Sequence, residues 1–146
     1  MLKQIADWFH ITTITSKEGV EHFKRWGIQT RFGNLYLHKI SRSDEDHPHN
    51  HPWNFCSLIL KGGYYEKHYS TIQPISPDTP FILEKNTPGK FLVRYLMDYH
   101  KIQLIDENVP TWTLVLTGPH KKTWGYLTPK GFLQYETYRK QKNEWL

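Results

Sequence analysis

The chain has 146 residues, with six Trp, nine Tyr, seven Phe, nine His, one Cys and a net charge of +5. That length suits one domain with a sizeable core, and a single cysteine excludes an internal disulfide framework and any Cys-rich zinc or iron–sulfur site. No apolar run approaches the ~18–20 residues that cross a bilayer. The opening MLKQIADWFH carries Asp7 and no long apolar stretch, so it does not read as a signal peptide. A soluble, cytoplasmic protein without membrane attachment is expected. The basic residues are scattered, the longest cluster being Lys121-Lys122, which argues against a nucleic-acid partner.

Residues 1–30 read as a helical segment. A short helix is expected over Met1–His10, with Leu2, Ile5, Trp8 and Phe9 on one side. A second begins at Thr15-Ser-Lys-Glu18, which has capping-box spacing; Val20, Phe23 and Trp26 then recur every three residues and Gly27 ends it. From Arg31 the pattern changes to strands: Leu35–Ile40, Phe55–Leu60, Tyr64–Tyr69, Phe91–Leu96, His100–Leu104, Thr111–Leu116 and Trp124–Leu127. They are punctuated by Gly62-Gly63, the Pro-rich 73–80 stretch, Thr87-Pro-Gly89 and Gly118-Pro119. Seven or more short strands with tight turns predict an all-β sandwich or barrel over residues 31–134, followed by a charged tail at 135–146. Trp145-Leu146 in that tail could dock on the body or on a partner subunit. Trp112, Leu114 and Leu116 alternate with Thr113, Val115 and Thr117, predicting a strand buried on both faces. Cys56 reads as a small buried hydrophobe, and His47, His68 and His120 read as surface histidines.

Three histidines fall in His47-Pro-His49-Asn-His51-Pro-Trp53. In extended chain, residues i and i+2 share a face, so His49 and His51 can converge as a bidentate claw for a divalent metal; the competing reading is a His-rich polar loop. His100-Lys-Ile-Gln-Leu104 alternates strictly and places His100 inward, where it requires a hydrogen-bond partner or a metal.

With His49 and His51 as the paired histidines, the sequence resembles the cupin superfamily, whose first motif is G(X)5HXH(X)3-4E(X)6G: the closing glycine falls on Gly62. With His100 as the histidine of the second motif, G(X)5PXG(X)2H(X)3N, the opening glycine falls on Gly89. It also resembles small bacterial and phage cupin-like proteins through Arg42-Ser43-Asp44, the HxHPW run His49–Trp53, Gly62-Gly63-Tyr64-Tyr65-Glu66, and Thr117-Gly118-Pro119 with Trp124-Gly125. The resemblance implies a cupin double-stranded β-helix, a jelly-roll barrel preceded by the helical segment. It implies metal ligands His49, His51 and His100, and a divalent transition metal: iron(II), or else zinc, nickel or manganese. The motif's glutamate is replaced by Phe55 or Cys56, its second-motif asparagine by Leu104, and its opening glycine by Ser43. Those departures leave a three-histidine site, as in the superfamily's thiol and diketone dioxygenases.

Glu66 is a candidate fourth ligand or base. His38, sharing parity with Tyr36 and Ile40, is a candidate acid/base group or substrate contact. Arg94, sharing parity with His100, and Arg42 are candidates to pair a carboxylate- or phosphate-bearing substrate. Asp44, Asp46, Asp98 and Glu66 are candidates to accept the ligands' second ring proton. The resulting expectation is a mononuclear non-haem iron oxygenase acting on a small, anionic molecule. A metal-dependent sugar isomerase or epimerase, and a non-catalytic binding barrel, are the alternatives. The resemblance also implies that the chain could form a homodimer.

Overall fold

The structure, a computed structural model, describes residues 9–16, 18–71 and 73–144. β-branched and aromatic residues dominate from Phe9 onward, and the chain pairs them into antiparallel strands: β1 (Phe9–Thr15), β2 (Glu21–Thr30), β3 (Gly33–Ile40), β4 (Phe55–Lys61), β5 (Tyr64–Tyr69), β6 (Ile82–Asn86), β7 (Phe91–Arg94), β8 (Tyr99–Leu104), β9 (Thr111–Thr117), β10 (Gly125–Thr128) and β11 (Gly131–Gln134). One helix follows, α1 (Tyr135–Glu144).

The first sheet has the order β1-β2-β3-β9-β4-β7. The second is built from β6-β5-β8 and the β10-β11 hairpin, and His49 joins these two pieces. Its backbone bridges both to His100 in β8 and to Tyr126 in β10. The sheets close on a core drawn from both: Ile40, Ile59 and Leu92 from the first, Tyr64 and Leu104 from the second. This is the all-β jelly-roll barrel expected from the strand pattern. The chain crosses from the first sheet to the second at Gly62-Gly63, where both residues have positive φ (82° and 133°). A Cβ on Gly63 would fall 2.7 Å from the Asn86 carbonyl oxygen, so this corner requires glycine on two counts.

The helix expected from Thr15 to Gly27 does not form. β1 and β2 make a hairpin there, closed by Ser16 N donating to Val20 O (2.8 Å) and Gly19 N donating to Ser16 O (3.0 Å). The run Ile11-Thr-Thr-Ile-Thr15 is β-branched throughout, which restricts χ1 in a helix and suits a pleated sheet. Gly27 is no helix cap either. It lies opposite Tyr36, and a Cβ would sit 2.2 Å from Leu35 O and 2.3 Å from Tyr36 Cδ1. Of the helix expected over Met1–His10, residues 1–8 lie outside the described residues, while Phe9 and His10 open β1.

β9 also differs from expectation. It buries only Thr111, Thr113, Val115 and Thr117, whereas Leu114 and Leu116 face outward, 41% and 55% exposed. Cys56 shares that outer side, paired with Leu116 and Val93, and is half-buried. Besides β1 and β2, two strands lie outside the expected set: β6, just after the Pro-rich stretch, and β11. The charged tail forms α1 and docks on the second sheet. Tyr135 stacks on Trp124 (4.3 Å between ring centroids) and Tyr138 on Tyr126 (4.0 Å), while Lys142 Nζ meets Asp46 Oδ1 at 2.5 Å. Trp145 and Leu146 lie outside the described residues.

Replacing Gly27 by Ala should destabilise the fold by about 1–3 kcal/mol, the range for overpacking a closed site. Urea unfolding of the two proteins measures this, and an unchanged midpoint would mean that the β2–β3 pair shifts freely.

Candidate metal centre

Backbone pairing comes first. His49 N donates to His100 O and His100 N donates to His49 O, both at 2.9 Å, which sets these two side chains next to each other. Asn50, 1% exposed, anchors the same segment to β10: its N donates to Gly125 O (3.1 Å) and its Oδ1 accepts from Gly125 N (2.9 Å). His51, two residues on from His49, turns to the same point. The result is a cluster in which His100 Nε2 lies 2.8 Å from His51 Nε2 and 3.2 Å from His49 Nε2. Phe55 packs on His51, and Trp124 and Tyr126 pack around His49. Burial is the main cause holding the proton affinities of His49 and His51 well below the imidazole norm, and the neighbouring His100 lowers both further.

The residues fit a metal. Ligands ~2.1 Å from a common ion and roughly 90–110° apart would be about 3.0–3.4 Å from one another, close to the separations seen. Buried neutral imidazoles carry free lone pairs and bind metal without first losing a proton. The tautomer of His100 is set from behind, because its Nδ1 meets Glu66 Oε1 at 2.5 Å. With that proton held by the carboxylate, Nε2 presents its lone pair to the cluster.

Glu66 was expected as a fourth ligand or base, and the structure gives it another task. It is 1% exposed on the inner face of β5, and its carboxylate lies against Nδ1 of His100, away from the Nε2 cluster. Both oxygens are engaged: Oε1 accepts from Arg94 Nε (3.0 Å), and Oε2 accepts from Arg94 Nη2 (2.6 Å) and Asn86 Nδ2 (2.9 Å). Burial alone would raise its proton affinity, but the hydrogen bonds from His100 and Arg94 outweigh it and keep Glu66 ionised.

Arg94 likewise does not offer a free guanidinium to a substrate. Besides Glu66 it donates to Glu84 Oε2 (2.9 Å) and to its own neighbour's carbonyl, Val93 O (2.9 Å). Glu84 in turn binds His68 (2.9 Å) and Lys90 (2.7 Å), so His68, expected at the surface, belongs to the inner face of β5. Glu66, His68 and Glu84 also form a group of metal-ligand type, but Arg94 fills its centre as the cation.

His38 lies on the inner face of β3 between Phe23 and Tyr36. Its buried Nε2 has no hydrogen-bond partner among the described residues. Burial first, and the Arg25 charge second, push its proton affinity down to about 3. The other carboxylates are used structurally. Asp44 Oδ2 accepts from Ile102 N (2.8 Å), Asp98 Oδ2 from Tyr95 N (2.8 Å), and Asp46 Oδ1 from Tyr138 and Lys142 of α1; Arg42 is exposed. Sequence reasoning missed Asn86, which had no signal, and the paired role of Arg94 and Glu66. The alternation Tyr64, Glu66, His68 behind the glycine corner was the available clue to Glu66.

His38 has a consequence for stability. Between about pH 6.5 and pH 3 the unfolded chain takes up a proton that native His38 refuses, so this residue's contribution falls as pH falls, by about 1.4 kcal/mol per unit. His38→Phe should therefore gain on the wild type by about 2 kcal/mol between pH 7 and pH 5. Denaturation midpoints at the two pH values test this; parallel losses in both proteins would show that His38 titrates normally.

No family model matches the sequence, and no curated protein sequence matches it. Solved structures do match. The iron(II) form of HppE superposes with a TM-score of 0.59 at 10% identity, covering 76% of this chain and 57% of that one. Hydroxypropylphosphonic acid epoxidase from S. wedmorenis gives 0.55 at 9%, covering 76% and 56%. KdgF from Halomonas sp. gives 0.51 at 11%, covering 77% and 90%. The chain thus spans little more than half the length of the HppE and epoxidase structures. At these identities the likeness establishes the fold alone, and the chain is a cupin-fold jelly-roll protein with a three-histidine cluster on the inner side of its barrel.

Proposed function

We propose that this protein is a mononuclear non-haem iron oxygenase whose metal is held by His49, His51 and His100 and whose substrate is a small anionic molecule. The observation that carries the reading is the convergence of three Nε2 atoms, one of them with its tautomer set by Glu66. The likeness to an iron(II) protein supports iron among the divalent metals. When bound, ferrous iron supplies Lewis acidity and reducing equivalents for dioxygen.

The chain's own residues divide the remaining work. Glu66 holds the Nδ1 proton of His100, and Arg94 keeps Glu66 charged so that it goes on doing so. Three neutral ligands leave the ion's positive charge uncancelled, which favours an anionic or chelating substrate. Arg25 and Lys122 add to this field, since both lie near enough to depress the proton affinities of His38 and His51 respectively. His38 offers its buried Nε2, which has no hydrogen-bond partner among the described residues, to the substrate as a hydrogen-bonding group. Phe55, Trp124 and Tyr126 shield the ligands from bulk water.

Metal analysis tests the site. The wild type should bind one equivalent of Fe(II), and His49→Ala and His100→Ala should lose it. Glu66→Gln should weaken metal affinity by about 10–100-fold, the usual cost of removing a ligand's hydrogen-bond partner. Absence of a stoichiometric metal in wild type, unchanged by His49→Ala, would end the metal reading.

Oxygen uptake tests the chemistry. Iron-loaded protein should consume O₂ with some member of a panel of small hydroxy-carboxylates and phosphonates, and His38→Phe should lower that rate while leaving iron content unchanged. Turnover of a sugar phosphate under strict anaerobiosis would instead assign an isomerase.

A further inference from the structure

The outer face of the first sheet is apolar across its full width. Cross-strand partners share a face, so the register lines up Phe9, Ile28, Leu35, Leu116, Cys56 and Val93 in one row, one residue from each of the six strands. A second row runs beside it from Ile11 through Leu37 and Leu114 to Phe91. These are open surfaces: Phe91 is 62% exposed, Ile11 58%, Leu116 55% and Leu114 41%. With Phe9, Ile28, Leu35 and Val93 similarly open, eight half-exposed side chains, two of them aromatic, present on the order of 700–800 Å² of surface. The largest apolar patch on an ordinary monomer is about 300–600 Å², whereas a stable dimer buries about 800 Å² per partner.

We infer that this face is the interface of a homodimer in which two copies pack their first sheets against each other, making a four-layer assembly with one histidine cluster at each end. The area matches what an isologous pair requires. Charge is confined to the rim, where Lys24 and Lys39 pair across β2 and β3 beside the apolar rows. Lys61 lies in the same row, and Lys39 pairs with Glu21 at 3.1 Å. A second copy supplies the same two rows in full.

The inference is independent of the metal reading and is tested on the full chain by sedimentation. The wild type should run at twice the 17.5 kDa chain mass, and Leu116→Lys on β9 and Phe91→Lys on the edge strand β7 should each run as monomers with an unchanged far-ultraviolet spectrum. Cys56, the only cysteine, gives a second measurement that needs no variant to fold. Its alkylation should be at least about tenfold slower at dimer-forming concentrations than on dilution to monomer, because contact excludes the reagent. A wild type that is monomeric at about 100 µM overturns the inference, whether or not it binds liposomes. A dimer whose mass neither lysine variant alters, with Cys56 equally reactive at all concentrations, overturns it as well.

Discussion

The Glu66 carboxylate is the point on which the interior turns. A charge buried this deeply costs several kcal/mol unless every lone pair is met, and here Arg94, Asn86 and His100 meet them. Arg94 comes from β7 in the first sheet, while Glu66 and His100 come from β5 and β8 in the second. The ion pair therefore spans the barrel and holds its two walls in register. The same contact orients a proposed metal ligand. Losing Arg94 would leave Glu66 as an uncompensated buried anion, so its effect would reach both stability and the histidine cluster.

Around this pair the barrel is unusually polar inside and apolar outside. β9 shows the pattern plainly: Thr111, Thr113 and Thr117 face in with Val115, and Leu114 and Leu116 face out. The inner face of β3 carries Asn34, Tyr36 and His38, and that of β5 carries Glu66 and His68. Such an interior suits hydrogen-bonded networks and a polar ligand more than simple hydrophobic packing. The hydrophobic residues displaced to the outside form the apolar face on which the inferred homodimer rests.

Much of the fold was legible in one dimension because strand alternation is a local property. Leu35–Ile40, Tyr64–Tyr69 and His100–Leu104 each show it, and each lies where the alternation placed it. Turn chemistry was equally readable at Gly62-Gly63 and Gly89, all with positive φ. The N-terminal hairpin was misread because Val20, Phe23 and Trp26 satisfy a helical spacing by coincidence. In the hairpin Phe23 faces the core beside His38 while Trp26 stacks on Trp112 outside, so the three never share a face. The β-branched run at Ile11–Thr15 carries the strand signal, and it prevails. β9 failed for a different reason, since threonine's small polar side chain is as compatible with an inner as with an outer position.

The sequence by itself determined the strand-rich architecture, the glycine corners and the His49–His51 pair, since each depends on residue type at short spacing; His100, 49 positions from His51, joined them only through the family resemblance. What Glu66 and Arg94 do was decided only by the tertiary structure. Separated by 28 positions, they acquire their roles through a contact between opposite walls of the barrel, and no local pattern encodes which buried charge will find which partner. The same holds for the apolar outer face: each strand contributes one or two residues, and only the pairing register assembles them into a surface.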